Sequence, residues 1–320
     1  MNVLVTAIGS MSAECVIASL KKAGCGVVAT DIYDECFHPV ARECLVFEKV
    51  IKAVPDPVAY CEVIRDVAVR HGCKAVIPLT DPEVDALSPN RKILEEKGVE
   101  LWLGSQESIA LARDCDAWSR KLSGCKTFKI IPTFRTYNEL VSAHRGKFVA
   151  KRVNGRSSEG ILFSDTETFT LSAPYETGYV FQPFIDGDII TVDFVRHPKS
   201  RQLVVVPRQE MMRTKNGAGT VVKILDPELV RSAVAEMCEG LGLTGVMNCE
   251  FIRKGNDLYL MDINPRFSAG VSFSRIAGYD FVAADINCYC AGDIRQEYTI
   301  KIGSVLVKRF CDFAGGGNCI

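Results

Sequence analysis

The residues best able to do chemistry fall in two short runs. These are Asn248-Cys249-Glu250-Phe251-Ile252 and, after a polar turn, Tyr259-Leu260-Met261-Asp262-Ile263-Asn264-Pro265-Arg266. Both alternate apolar and polar side chains, as half-buried strands do, and Gly255-Asn256-Asp257 supplies turn residues between them. Every second side chain of a strand shares a face. Asn248 and Glu250 therefore point one way, as do Asp262 and Asn264 on the returning strand. A three-residue loop at 255–257 would set Glu250 directly opposite Asp262. Neighbouring strands lie about 4.8 Å apart, and two carboxylates that close repel unless a cation lies between them. Oxygen ligands of this kind suit Mg²⁺. Arg266, just past the strand end, adds a fork-shaped anion binder. Together these groups form a set for handling metal-bound phosphate. A plain hairpin with its acidic residues in water would show the same alternation, and is the ordinary outcome of such a pattern.

Three other stretches carry candidate chemistry. Lys147 to Val153 reads as a strand that delivers Lys151, and Asn154-Gly155-Arg156-Ser157-Ser158-Glu159-Gly160 follows as a glycine/serine loop. Glycines let backbone N–H groups approach phosphate oxygens, though a hairpin with a polar loop fits the stretch taken alone. Tyr179 to Asp188 reads as a strand ending in a hinge, whose apolar side chains suit a planar ring. Arg208 and Arg213 precede the acidic hairpin and are candidates for a carboxylate substrate or its acyl phosphate.

Asp262-Ile263-Asn264-Pro265-Arg266 resembles the metal-binding strand of ATP-grasp enzymes, the group that includes carbamoyl-phosphate synthetase large chains, D-alanine–D-alanine ligase and biotin carboxylase. Their usual form is Glu-x-Asn-Pro-Arg, so Asp262 is a conservative departure with a shorter reach. The resemblance implies that Glu250, Asp262 and Asn264 hold two Mg²⁺ ions, with Mn²⁺ as an alternative. It implies that Arg266 contacts the transferred phosphate and that Arg208 helps stabilise the anion. The loop resembles the family's Lys-Pro-x-x-Gly-x-Gly-Ser-x-Gly lid, with Arg152 in place of proline. Lys151 would then hold the α- or β-phosphate of ATP. Gly155, Ser157, Ser158 and Gly160 would cover the β,γ-phosphates. Backbone atoms of Gln182, Phe184 and Ile185 would read the adenine edge, and Asp188 would face the ribose. Relatives commonly carry Asp-Lys before a helix ending in Leu. Aligning Asp114 and Leu122 to that pattern puts Cys115 where the lysine is expected, and a thiol supplies no permanent charge. Either Lys121, Lys126 or Lys129 approaches the nucleotide instead, or affinity for ATP is lowered.

Elements of both α/β and α+β kind must position these residues. Val3 to Thr6, a loop at Ala7 to Ser10, a helix over 13–22 and a strand at 27–31 read as a βαβ opening. It lacks Gly-x-Gly-x-x-Gly, so a dinucleotide reading is rejected. Leu79-Thr80-Asp81-Pro82-Glu83 follows a parallel strand, where open α/β sheets bind ligands. Asp81 and Glu83 there also serve as ordinary helix-start residues. The expected organisation is an amino-terminal doubly wound parallel-sheet domain (1–107), a lid (108–183), an antiparallel-sheet carboxy-terminal domain (184–310) and a flexible tail (311–320).

A chain of 320 residues, 48% hydrophobic, can bury substantial cores. Its formal net charge of −1 gives no basic field for nucleic acid. The start has no basic n-region and no long apolar run, so neither a signal peptide nor a membrane helix is expected. The 14 cysteines form no Cys-x-x-Cys pair and read as reduced core residues such as Cys15, Cys61, Cys73 and Cys238 in a cytoplasmic protein. The resemblance implies an ATP-dependent carboxylate–amine or thiol ligase acting through an acyl phosphate, with small carboxylate and amine substrates. Homodimers are common among such relatives. Two alternatives are a carbamoyl-phosphate-synthetase-like half enzyme that phosphorylates bicarbonate or carbamate, and a non-catalytic ATP-binding module.

Overall fold

Three sheets carry the architecture in the computed structural model, which describes residues 1–153, 160–172, 175, 177–290, 292–294 and 298–314. The first is the doubly wound unit read from the sequence. Its five parallel strands are β1 (Asn2–Val5), β2 (Gly26–Asp31), β3 (Val46–Lys49), β4 (Cys73–Ile77) and β5 (Glu100–Leu101), in the order β3-β2-β1-β4-β5. Continuous apolar runs such as Val3-Leu4-Val5 are wholly buried because helices cover both faces. Those helices include α1 (Ala13–Lys22), α2 (Pro57–Arg70), α3 (Asp81–Leu87) and α4 (Lys92–Glu95). A capping box starts α3, with the side chains of Thr80 and Glu83 each reaching the other's backbone N–H.

Two helices, α5 (Gln106–Arg113) and α6 (Cys115–Lys121), follow and pack against α8 (Arg231–Leu241) of the large lobe. The next strand, β6 (Lys129–Ile130), joins the large sheet. The small lobe holds α7 (Tyr137–Ala143) and a three-stranded antiparallel sheet of β7 (Lys147–Arg152), β8 (Leu162–Asp165) and β9 (Tyr179–Pro183). Its core is separate, built on Leu140, Phe148, Ala150 and Phe181.

The large sheet has seven strands in the order β15-β12-β11-β10-β13-β14-β6. They are β10 (Asp188–Arg196), β11 (Leu203–Arg213), β12 (Gly219–Ile224), β13 (Gly245–Lys254), β14 (Asp257–Asn264) and β15 (Val305–Val307), with β6 pairing parallel to β14. On its faces lie α8, α9 (Val271–Ala277) and α10 (Phe281–Tyr289). One core cluster runs from Leu4 and Val76 of the first lobe to Val192 and Cys249 of the third, so those two lobes are packed together while the lid keeps its own core. Cys15, Cys61, Cys73 and Cys238 are buried free thiols, as expected. Cys36 departs from the expectation of reduced cysteines, because it is disulfide-bonded. No helix among the described residues is long and apolar enough to cross a membrane.

Candidate active site

Glu250 does stand opposite Asp262, but by a route other than the expected three-residue loop. Lys254 pairs with Asp257, so the turn is only Gly255-Asn256, with Gly255 at φ +62°. The register then slips between Glu250 and Phe251, leaving Met261 as the extra residue of a β-bulge. That slip restores the carboxylate pairing. Lys151 Nζ, arriving from β7, donates to the Met261 carbonyl at 3.1 Å.

A cavity of about 290 Å³ lies between the lid sheet and the large sheet. Lys151, Gln182, Phe184, Ile185, Glu250 and Asp262 all line it, so the structure brings the expected lid lysine, hinge and acidic pair into one cleft. Gln182 is held by its Nε2 donating to Thr133 Oγ1 at 2.8 Å. Gly160 is described, at φ +71°, and a side chain there would meet the Tyr179 hydroxyl. Gly155, Ser157 and Ser158 lie outside the described residues.

Electrostatics mark the carboxylates as a site for a cation. Burial is the main force raising the Glu250 carboxyl above its usual range; Asp262 and Glu210 add to it and Arg213 opposes it. Burial likewise raises Asp262, opposed by Lys151 and Arg113. Arg213 Nη2 donates to Glu250 Oε1 at 2.5 Å, and the Thr191 hydroxyl donates to the same oxygen at 3.2 Å. Asn264 lies beside the pair, its Nδ2 3.5 Å from Asp262 Oδ2 and its Oδ1 accepting from Arg266 Nη2 at 3.4 Å. Among the described residues no three His, Cys, Asp or Glu side chains form a ready metal cage. Two carboxylates face the cleft; the Asn264 amide does not line it and gives its Oδ1 to Arg266. Hard oxygen donors on facing strands fit Mg²⁺, beside a wall on which Arg213 already pairs with Glu250.

Several expectations are corrected. Asp188 does not line the cavity; it pairs with Arg253 Nη2 at 2.9 Å, while its neighbours Gly187 and Ile189 line the cleft. Strand alternation sends it to the other face. Arg208 is not on this cleft either. It is 2% exposed and donates to Asp193 at 2.7 Å, Glu210 at 3.2 Å and the Ser268 hydroxyl at 3.1 Å. A guanidinium so fully engaged holds strands together. Its companion Arg213 is the one on the wall. Cys115 lines the cleft, and burial raises its thiol pKa. Lys121, Lys126 and Lys129 are all exposed and absent from the lining; Arg113 lines it and pairs with Asp85 at 2.8 and 3.1 Å. Arg113 belongs to no motif, and its only signal was a position two residues before Cys115.

Arg266 sits in an adjoining cleft. Its Nε and Nη2 donate to the two oxygens of Asp81 at 2.6 and 2.9 Å, and Arg113 Nη1 lies 3.8 Å from Asp81 Oδ1. The first residue of α3 thus anchors the arginine that follows β14.

A small β-lid closing on a larger antiparallel sheet, beside a doubly wound lobe, defines an ATP-grasp fold. Residues 121–270 match the model of the ATP-grasp domain family. Among solved structures, N5-carboxyaminoimidazole synthetase from Staphylococcus aureus is similar with a TM-score of 0.74 and 14% identity, covering 96% of this chain and 81% of that one. The biotin carboxylase domain of Hydrogenobacter thermophilus 2-oxoglutarate carboxylase, in complex with MgADP, ADP and bicarbonate, gives 0.72 and 17%, covering 95% of this chain and 73% of that one. L-amino acid ligase from Bacillus licheniformis gives 0.67 and 17%, covering 90% of this chain and 73% of that one. No curated protein matches the chain by sequence.

Proposed function

We propose that the protein is an ATP-dependent carboxylate–amine or thiol ligase that works through an acyl phosphate with Mg-ATP. The observation that carries this reading is the facing pair Glu250 and Asp262 on the wall of a cleft that also holds Lys151, Arg113 and the Gln182–Ile185 hinge. When bound, Mg-ATP supplies the phosphoryl group that makes a carboxylate a good acylating agent. Glu250, Asp262 and the Asn264 amide would hold the metal. Lys151 and Arg113 neutralise phosphate charge from the lid and large-lobe sides of the cleft. Phe184 and Ile185 give a planar base its contact area. Arg266 gives its fork to Asp81 and would reach an anion only by exchanging that partner.

The test is ADP release from Mg-ATP across a panel of carboxylic acids, amines and thiols, with bicarbonate included. Turnover that requires both an acid and an amine or thiol is the expected result, and Glu250→Gln and Asp262→Asn should each abolish it in folded protein. Near-normal rates in either variant would remove the metal assignment. A second reading, phosphorylation of bicarbonate, draws support from the similar biotin carboxylase domain whose complex contains bicarbonate. Turnover with bicarbonate alone would favour it.

A further inference from the structure

Glu250 already holds a cation of the chain's own. Arg213 Nη2 donates to its Oε1 at 2.5 Å, and the Thr191 hydroxyl reaches the same oxygen at 3.2 Å. A carboxylate oxygen with two donors on it has both lone pairs in use. The guanidinium is fixed from its other side as well, with Arg213 Nε donating to the Gly217 carbonyl at 2.7 Å. That carbonyl belongs to a turn closed by Thr214 N–H to the Ala218 carbonyl at 2.8 Å and by Gly217 N–H to the Thr214 carbonyl at 3.0 Å. Gly217 takes φ +83° there, a backbone conformation that favours glycine. Side-chain exposure is only 21% for Arg213 and 15% for Glu250. Arg213 is therefore a placed charge, held at both ends.

The wall around this pair leans the same way. Arg113, Lys151, Arg152 and Arg213 line the cleft against Glu250 and Asp262, four cations to two carboxylates among the described residues. Arg113 shares its charge with Asp85 outside the lining, which still leaves three to two. A divalent ion arriving alone meets a positive surface. It has to push Arg213 off Glu250 or stand beside it, and like charges at that range repel strongly. An ion arriving on a triphosphate brings more negative charge than positive. Its phosphate oxygens also offer Arg213 a replacement acceptor of the kind a guanidinium fork fits.

We propose, on the ligase reading above, that Arg213 is a positioning residue that keeps bare divalent cations off Glu250 and Asp262, so that the metal enters only with the nucleotide. Arg213 passes from Glu250 to a phosphate oxygen as the complex binds. The order of binding is then set by a residue on β11, outside the acidic hairpin that supplies the carboxylates.

The test measures Mn²⁺ binding by the full chain at about pH 8, from the electron paramagnetic resonance signal of the free ion, alone and with the β,γ-imido analogue of ATP. Wild type should bind Mn²⁺ at least about tenfold more tightly with the analogue than without it. Arg213→Met should tighten binding of the bare ion about tenfold or more, the effect of removing one charge-assisted competitor, yet bind the ion with the analogue no more tightly than wild type. Arg213→Lys keeps a charge and should stay within about threefold of wild type for the bare ion. Circular dichroism and urea midpoints check that both variants are folded. Three results would each overturn the proposal: bare-ion binding unchanged or weaker in Arg213→Met, equal tightening in the Met and Lys variants, or a wild type that takes Mn²⁺ equally well with and without the analogue. A wild type that binds no nucleotide would instead sink the ligase reading, and the bare-ion comparison between variants would still decide the role of Arg213.

Discussion

Asp81→Asn probes how the first lobe holds the arginine of the third. Asp81 is 3% exposed and takes both forks of Arg266, whose side chain is 17% exposed, across 185 positions of chain. An asparagine keeps the shape but replaces one acceptor oxygen with an NH₂ that points donors at a guanidinium. The charge left behind is then unpaired and largely out of water. Breaking one side of a buried pair costs about 3–5 kcal/mol, against roughly 0–1 kcal/mol for an exposed pair. Arg113 keeps Asp85 at 2.8 and 3.1 Å, so only Arg266 is stranded and the lower end, about 3 kcal/mol, is expected. That is a large share of a stability of about 5–15 kcal/mol. Urea unfolding followed by circular dichroism and by the fluorescence of Trp102 and Trp118 measures it; both tryptophans are buried in the cores of these lobes. The double variant Asp81→Leu/Arg266→Met should recover much of the loss, because the penalty lies in the orphaned charge. A loss below about 1 kcal/mol in the single variant would mean that the pair is effectively solvated, and would refute the reasoning.

Two further outcomes are expected. Lys151→Met and Arg113→Met should each raise the Kd for Mg-ATP about 10- to 100-fold by calorimetry, as losing a charge-assisted hydrogen bond does, while Cys115→Ser leaves it unchanged; a larger effect at Cys115 than at Arg113 would contradict the assignment of Arg113 as the cation. Burial raises the Glu83 carboxyl from 4.5 to about 6, with bonds from Thr80 and Tyr60 opposing it. A folded-state pKa above the unfolded one gives stability that is present below the unfolded value and lost as pH rises through the folded one. Wild type should therefore lose about 2 kcal/mol relative to Glu83→Gln between pH 4 and pH 7, read from urea midpoints; a constant difference would show that Glu83 titrates normally.

Sequence by itself determined the parts whose causes are local. Continuous apolar runs with a helix between them gave the parallel lobe, and period-2 alternation gave the acidic hairpin. The resemblance of the lysine strand, hinge and acidic hairpin to one family implied that Lys151, Gln182 to Ile185, Glu250 and Asp262 share a cleft; parity along a strand decides only which face a residue takes. Tertiary structure decided whatever depends on a neighbour distant in the chain. A bulge at Met261, invisible to parity counting, set the carboxylates opposite each other despite the two-residue turn. Arg208 and Arg213 look alike in sequence, yet one is bound into Asp193 and Glu210 while the other reaches Glu250. Beside Cys115 the cleft wall carries Arg113, which no motif marks. Asp81, which reads as a helix-start residue, grips an arginine 185 residues away. Long-range ion pairs of this kind depend on which buried charges the packed lobes bring within reach, and no local pattern of residue types encodes that.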